Sequence, residues 1–509
     1  MNDIFIISDD GKALLGVKDK SITHAVVPEG VTSIRWDTFQ DCSSLQAISI
    51  PSSVTWIEEG AFMWSSMKKI HVDKRNKHFS TADGALYNKD FTKLICLPAK
   101  KRLKQYTVRE GVKEIGTFSF ALCHSIERIC LPDSVEDIGY LAFANCEQLQ
   151  EIYVSESHSR FSSADGILFS KDGTELLRMP AGKRLTYYSI PKNVKVIGEN
   201  AFSDCEVLQS IDVPDSVTKI GGWAFGNCIA LKSIRIPDGV TVIESGVFSR
   251  CEAMQSIHIP DSVTEIGGGA FAGCTALQSI HIPDSVTKLS RDFNRDCHAL
   301  QDISVAESNQ CFSSADGILF SKDGTELLRM PAGKRLTYYS IPKNVKVIGE
   351  NAFSGCEVLQ SIDVPDSVTK IGGWAFSDCT ALQHFDFPEG ITKIDTCVFS
   401  DCTALQSVSI PESVTEINFG IFDNCSELRT IRCKIRDLEK VNISKLLALP
   451  DEVYDYCVLY VPAGTKQQYE THRLLKWIEH IVEEKEEELT DTLWPTNLLL
   501  AATTRCSRA

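Results

Sequence analysis

SVTKIGGWAFGNCIALKSIRIPD (216–238) is followed at once by GVTVIESGVFSRCEAMQSIHIPD (239–261), and the two stretches spell one pattern. Val217-x-x-Ile220, Ala224-Phe225-x-x-Cys228 and Leu231-x-x-Ile234-x-Ile236-Pro237 all return 23 residues later, with only apolar exchanges such as Ala224 to Val247 and Leu231 to Met254. A unit of about 23 residues is too short to enclose a core of its own, so stacked copies must share one continuous core. The expected fold is a repeat solenoid. Leu231-x-x-Ile234-x-Ile236 alternates with period two and reads as a short strand with one face buried. Pro237-Asp238 ends that strand and turns the chain. Val217-x-x-Ile220 is expected to make a second short extended segment. Gly-x-x-Ala-Phe-x-x-Cys then supplies a compact helical turn whose Phe and Cys point inward.

Across the whole chain, the Val-x-x-Ile element occurs thirteen times between Val31 and Val414, with Ile391 opening one copy and Leu289 closing another. Three intervals are longer: Val54 to Val112 spans 58 residues, and Val135 to Val194 and Val286 to Val345 span 59 each. The added segment, SSADGILFSKDGTELLRMPAGKRLTYYSIP (162–191) in one copy, holds two apolar runs around Lys171-Asp172-Gly173, a β-hairpin signal. It ends in Tyr188-Ser189-Ile190-Pro191, which restores the ordinary strand. Hairpin-decorated rungs are therefore expected near residues 3–27, 73–107, 155–190 and 306–341, within one solenoid over residues 1–435. The first of these comes from DIFIISDDGKALLGVKDKSITHAVVPEGV (3–31), which fits the same template with a single-residue gap. Either this hairpin is the natural cap, or the sequence starts partway through a longer protein. Residues 161–225 and 312–376 are identical except for Asp204 against Gly355, which points to a recent duplication.

The totals agree with a repeat array: 509 residues, 43% hydrophobic and 24% charged, exceed one conventional core. No run of 18 apolar residues occurs, so no membrane insertion is expected. The opening residues lack the basic segment and cleavage site of a secretory signal. A net charge of −16 disfavours nucleic acid as a partner. Twelve of the 19 cysteines, from Cys42 to Cys425, fall on one repeat position. They form no zinc-type Cys-x2–4-Cys pair, and parallel inward side chains aim badly for disulfides. They read as a ladder of buried free thiols, most comfortable in a reducing compartment.

Catalytic signals dissolve into the repeat. Ser-x-x-Lys at Ser216–Lys219, Ser285–Lys288 and Ser367–Lys370 becomes Ser-x-x-Glu at Ser262–Glu265 and Ser413–Glu416, so it is turn chemistry. Asp165-Gly166 and Asp316-Gly317 read as turns. No catalytic residue, cofactor site or metal ligand is assigned, and a non-enzymatic role is expected. What varies is the outward residue between the two apolar positions of each longer strand, together with the position two before it. Stacked strands lie about 4.8 Å apart, so these residues form columns on one sheet face. The candidate partner-binding face comprises Tyr153, Asp212, Arg235, His258, His281, Ser304, Asp363, His384 and Asp386. A solvated face that drifts without function would vary in the same way. Asp212, Arg235, His258 and His281 are its most distinctive members, and read as a polar, pH-sensitive contact patch rather than a metal site.

After Cys433 the period fails, and residues 436–490 are expected to form a small α/β cap. DLEKVNISKLLALPDEVYDY (437–456) reads as mostly helical or irregular, Val458-Leu459-Tyr460-Val461 as a strand, and Thr465 as the cap of a helix running to about Glu488. The acidic run 483–489 reads as a solvated helix end, and 491–509 as a disordered tail.

CTALQSIHIPDSVTKL and GENAFSDCEVLQSIDVPDSVTKIGGWAF resemble the BspA-like class of leucine-rich repeats of bacterial surface proteins. ADGILFSKDGTELLRMPAGK and VPAGTKQQYETHRLLKW (461–477) are similar to that family's hairpin module and closing segment. The resemblance covers roughly residues 1–485. It implies a right-handed curved solenoid and, as in characterised members, adhesion to a protein or glycan ligand such as a host matrix or cell-surface component. It implies no catalytic residues. The alternative is a cytoplasmic leucine-rich repeat scaffold for an intracellular protein partner, supported by the thiol ladder and the signal-free start.

Overall fold

The computed structural model describes residues 4–443 apart from 64 and 66, and residues 451–484 apart from 473, 474, 476 and 477. The chain divides into two compact units, Met1–Leu277 with Lys288–Asn294, and Gln278–Thr287 with Arg295–Ala509. The expected tail 491–509 and the acidic run beyond Glu484 lie outside the described residues.

Within each unit, strands one rung apart pair in parallel along two separate ladders. The Leu-x-x-Ile-x-Ile segments build one. In the first unit Arg128–Leu131 pairs with Glu151–Val154, which sets Cys130 opposite Tyr153. In the second unit Thr430–Cys433 pairs with both Ser407–Ile410 and Val458–Pro462. The Val-x-x-Ile segments build the other ladder. Val242–Ile243, Glu265–Ile266 and Lys288–Leu289 are successive members in the first unit, and Val347–Ile348, Lys370–Ile371, Lys393–Ile394 and Glu416–Ile417 in the second. Alternation decides which side is dry: Ile129 and Leu131 are buried while the residue between them is not.

The Phe–Cys segment is a succession of hydrogen-bonded turns. Most of these turns hold two residues in left-handed conformations, for example Trp223 (φ 56°) and Asn227 (φ 62°), or Trp374 (φ 53°) and Asp378 (φ 59°). Such residues stop a turn from propagating as a helix. Asp, Asn and Gly recur just before the cysteine because they adopt this conformation at least cost. Phe202, Phe225, Phe248 and Phe271 stack with centroids 5.1, 5.7 and 5.8 Å apart. Phe353, Phe376, Phe399 and Phe422 repeat the stack at 5.0, 5.7 and 6.1 Å.

The cysteine sulfurs of this row fill the interior. In Cys146, Cys228, Cys251, Cys274, Cys379, Cys402 and Cys425 the S–H also donates to the Phe carbonyl one rung back. Cys228 reaches Phe202 O at 3.2 Å, Cys251 reaches Phe225 O at 3.3 Å, and Cys402 reaches Phe376 O at 3.0 Å. Each of these carbonyls also accepts the N–H of its own rung's cysteine, Phe202 O from Cys205 at 3.1 Å and Phe225 O from Cys228 at 3.2 Å, so the S–H adds a second, weaker bond that ties neighbouring rungs together. Burial pushes the Cys146, Cys205, Cys356 and Cys425 thiols up to about 12, so they remain protonated at neutral pH, and Cys146 and Cys425 donate to Phe120 O and Phe399 O at 3.1 Å each. Every described cysteine is a free thiol.

The long rungs carry an antiparallel meander of three strands. In one copy these are Phe161–Ala164, Ile167–Ser170 and Glu175–Arg178, with turns at Asp165-Gly166 and at Lys171-Asp172-Gly173. The third strand then pairs in parallel with Val196–Ile197, so it takes the place of a Val-x-x-Ile strand. Pro180 and a short 3-10 helix, Ala181–Lys183, follow where other rungs have Phe and Cys.

The C-terminal segment departs from expectation. The helix after Thr465 is Lys466–Thr471, and His480–Glu484 is a strand lying parallel to Val458–Pro462. Ile481 is buried opposite Leu459, and this pairing covers the otherwise open edge of the preceding strand. Thr465 does not cap the helix through its side chain; its hydroxyl donates to Pro462 O at 2.6 Å.

Candidate functional site

The longer strands place a row of side chains on the solvent side of each unit. In the first unit Tyr153 projects between buried Ile152 and Val154, and the Arg128 guanidinium lies 5.0 Å from its ring centroid. Asp212 accepts a hydrogen bond from the Tyr187 hydroxyl. Arg235 and His258 are partners in an isolated parallel bridge. The Arg235 guanidinium pairs with Asp215 and lies 3.8 Å from Asp238, so it turns toward the carboxylates of its flanking turns.

In the second unit His281 Nδ1 and Ser304 Oγ lie 3.0 Å apart on paired strands. Asp363 accepts from Ser340 Oγ at 2.9 Å. His384 Nδ1 and Ser407 Oγ are 2.8 Å apart, and desolvation holds this half-buried imidazole below its usual range. Asp386 is exposed beside them. Tyr153, Asp212, Arg235 and His258 thus belong to the first unit, and His281, Ser304, Asp363, His384 and Asp386 to the second.

The columns also contain Val26 and Arg432, which lie 23 residues from Ser49 and Ser409, and Tyr460, 28 residues beyond Arg432. Val26 is 65% exposed, pairs with Ser49 and opens the row. Arg432 and Tyr460 extend it, cross-strand partners with the guanidinium 5.6 Å from the ring centroid. Ile431-Arg432-Cys433 and Leu459-Tyr460-Val461 keep the in-out-in alternation, and that was the available signal. Among the described residues no group of three or more His, Cys, Asp or Glu side chains is placed to hold a metal ion. Among them, too, no helix is long and apolar enough to cross a membrane.

The interior of the long rungs holds a second feature, invisible from the columns. Arg178 is buried, with Nη1 donating to Asn200 O, Nη2 donating to Phe143 O at 3.3 Å, and Asp204 3.8 Å away. Arg329, 2% exposed, donates likewise to Asn351 O. Each guanidinium stands where the Phe stack is interrupted.

Parallel ladders at one-rung spacing, stacked Phe turns and a regular outward column define a leucine-rich-repeat solenoid. Residues 17–100, 96–164, 181–301 and 332–446 match the BspA type leucine rich repeat region, in six copies, and the chain belongs to that family. A leucine rich cell surface protein from Faecalibacterium prausnitzii is 29% identical, with a TM-score of 0.51 over 77% of this chain and 96% of its own. A leucine-rich repeat protein from Bacteroides ovatus is 24% identical over 84% of this chain and 91% of its own, with a TM-score of 0.36. One from Eubacterium ventriosum is 22% identical over 78% and 91%, with a TM-score of 0.38. No curated protein matches the sequence. Repeat scaffolds of this kind generally act through extended protein-binding surfaces.

Proposed function

We propose that this protein is a non-enzymatic adhesion module that binds a protein or glycan ligand at the cell surface through the solvent face of its longer strands. The observation that carries this reading is the contrast between fixed and changing positions. Inward residues of the ladders stay apolar or aromatic, with Ile, Val, Leu, Phe and Cys joined by Ala25, Tyr106, Tyr188 and Tyr339, while the outward column runs through Tyr153, Asp212, Arg235 and His258 in one unit and His281, Asp363, Asp386 and Arg432 in the other. Side chains held on rigid strands lose little freedom on binding, and aromatic and Arg groups supply most interface energy. The similarity to a bacterial cell surface protein supports the location.

The test begins with purified chain on an array of extracellular matrix proteins and glycans, followed by affinity measurement for each ligand retained. Tyr153→Ala combined with Arg235→Ala and His258→Ala should weaken binding at least tenfold. So should Asp363→Ala with Asp386→Ala and Arg432→Ala if the ligand docks on the second unit. Full affinity in both combined variants, with loss in a Trp223→Ala, Trp374→Ala variant of the turns, would move the site off the strand face.

A further inference from the structure

The row of stacked Phe rings needs a substitute at every long rung, and in two of them it is an arginine. Arg178 stands two positions after Leu176, which pairs with Ile197; Arg329 stands likewise after Leu327, which pairs with Ile348. In the long rung of residues 73–107, Leu94 pairs with Ile115 in the same register, and the residue two positions on is Cys96. The side chain there lacks the whole guanidinium. The preceding turn, residues 61–67, is also one residue shorter than its counterpart 142–149 and has no cysteine.

A cavity of about 710 Å³ opens at this place, lined by Phe62, Cys96, Phe118 and Leu122 and by the exposed rings of Trp36 and Trp56. That size suits a small organic molecule. Its walls repeat the groups that hold an arginine in the sibling rungs. Phe118 occupies the position of Asn200 and Asn351, all three left-handed at φ 57°, 57° and 58°. The carbonyls of Asn200 and Asn351 each receive a guanidinium N–H. Phe118 O accepts the Ala121 N–H at 3.0 Å, as Asn200 O accepts that of Ser203 at 3.1 Å, which leaves the lone pair that the arginines use elsewhere. Phe62 O, the counterpart of Phe143 O, takes the Ser65 hydroxyl at 2.7 Å. Glu58 and Glu59 also line the cavity, but they are paired with Arg35 at 3.3 Å and with the lining residue Lys93 at 2.7 Å, so the free acceptor offered to a cation is Phe118 O.

We infer that this cavity binds a small organic cation with a flat guanidinium or amidinium head and an apolar body. The head takes the place of the missing Arg side chain and donates to Phe118 O. The body lies against the aromatic lining, where Trp and Phe faces favour a cation and its hydrocarbon alike. This site is independent of the strand face, and the two readings stand or fall separately.

Benzamidine is a suitable probe, titrated into the full-length chain by calorimetry, with benzyl alcohol as the neutral comparison and agmatine as competitor. Benzamidine should bind at one site, agmatine should displace it, and benzyl alcohol should bind at least tenfold more weakly. Cys96→Arg restores the sibling side chain and should abolish binding while raising the melting temperature. The converse variant, Arg329→Cys, should gain a benzamidine site and be stabilised by it. Equal binding of benzyl alcohol would make the cavity merely apolar. Absence of benzamidine binding to the parent protein, or undiminished binding to a folded Cys96→Arg variant, would also overturn the proposal. Should Cys96→Arg not fold, failure of benzamidine to stabilise Arg329→Cys would do so instead.

Discussion

Residues 161–225 and 312–376 fold the same sequence twice, with Asp204 in one copy and Gly355 in the other, and the comparison isolates what neighbours contribute. The hydrogen-bond skeleton is common to both. Met179 N–H meets Ala201 O and Met330 N–H meets Ala352 O at 2.7 Å in each case, and both arginines reach the equivalent Asn carbonyl. The charge around the guanidinium differs. Arg178 has a carboxylate 3.8 Å away in Asp204. Gly355 offers none to Arg329, whose pKa is lowered by desolvation, while Asp296, at the place of Asn145, works in the opposite direction. Backbone architecture is therefore local to the repeat, whereas the electrostatics of a buried group depend on which rungs flank it.

The largest expected effect tests whether the two arginines are equivalent. Arg329→Ala should cost about 3–5 kcal/mol in denaturant unfolding, from the vacated volume and the Asn351 carbonyl left short of a donor. Methionine fills much of that volume, so Arg329→Met should be nearly neutral, within about 1.5 kcal/mol. Arg178→Met should cost more than Arg329→Met because it removes the cation beside Asp204, leaving that carboxylate only the Asn145 N–H and the Asn227 amide at 3.2 Å each. Equal costs would erase the distinction drawn between the copies. Next in size, Asp204→Gly makes the first copy electrostatically like the second and should destabilise by about 1–3 kcal/mol. Asn145→Asp, which copies Asp296, should recover part of that loss in the same assay.

A further contrast lies just before the duplication. His158 Nδ1 accepts the N–H groups of Arg160 and Phe161 at 3.1 Å each, where Asn309 Oδ1 accepts those of Cys311 and Phe312 at 2.8 Å. Burial lowers the His158 pKa below its ordinary 6.5, with Asp133 opposing and Lys171 reinforcing the shift. The folded state thus holds fewer protons than the unfolded one below pH 6.5. Stability from this group is complete above that pH and falls as pH drops toward the folded pKa, by at most about 1.4 kcal/mol per pH unit. His158→Asn should flatten that slope in melting curves recorded from pH 7.5 to 5, about the range of an unperturbed imidazole. The smallest effect is expected from Gly355→Asp, which supplies Arg329 with the missing carboxylate at a left-handed position that Asp tolerates. A gain of about 0.5–1 kcal/mol is expected from such a pair, and a loss would mean that backbone strain outweighs it.

Much of this was legible in the residues. The period located both ladders, and the cysteine position announced a buried column, because small apolar side chains recurring at one phase have nowhere to go but inward. The role of Arg178 was not legible. In LLRMPAG it looks like a polar strand end, and only the missing Phe–Cys pair hints that a long side chain must fill the gap. The C-terminal strand His480–Glu484 was hidden for a different reason: it lies among acidic residues, and its conformation comes from pairing with Val458–Pro462 rather than from its own pattern. The outward columns were readable from the count of 23, which also reaches Val26 from Ser49 and Arg432 from Ser409, whereas Tyr460, 28 residues beyond Arg432, lies off it.

The sulfur-to-carbonyl row has a practical consequence. Each bonded thiol is shielded from solvent and kept protonated, so an alkylating reagent can reach it only when its own rung opens. Cysteines spaced at 23-residue intervals therefore act as internal clocks. Pulse labelling followed by peptide mass analysis would time the breathing of each rung separately, and would reveal from which end, or from which interruption, the stack begins to unzip.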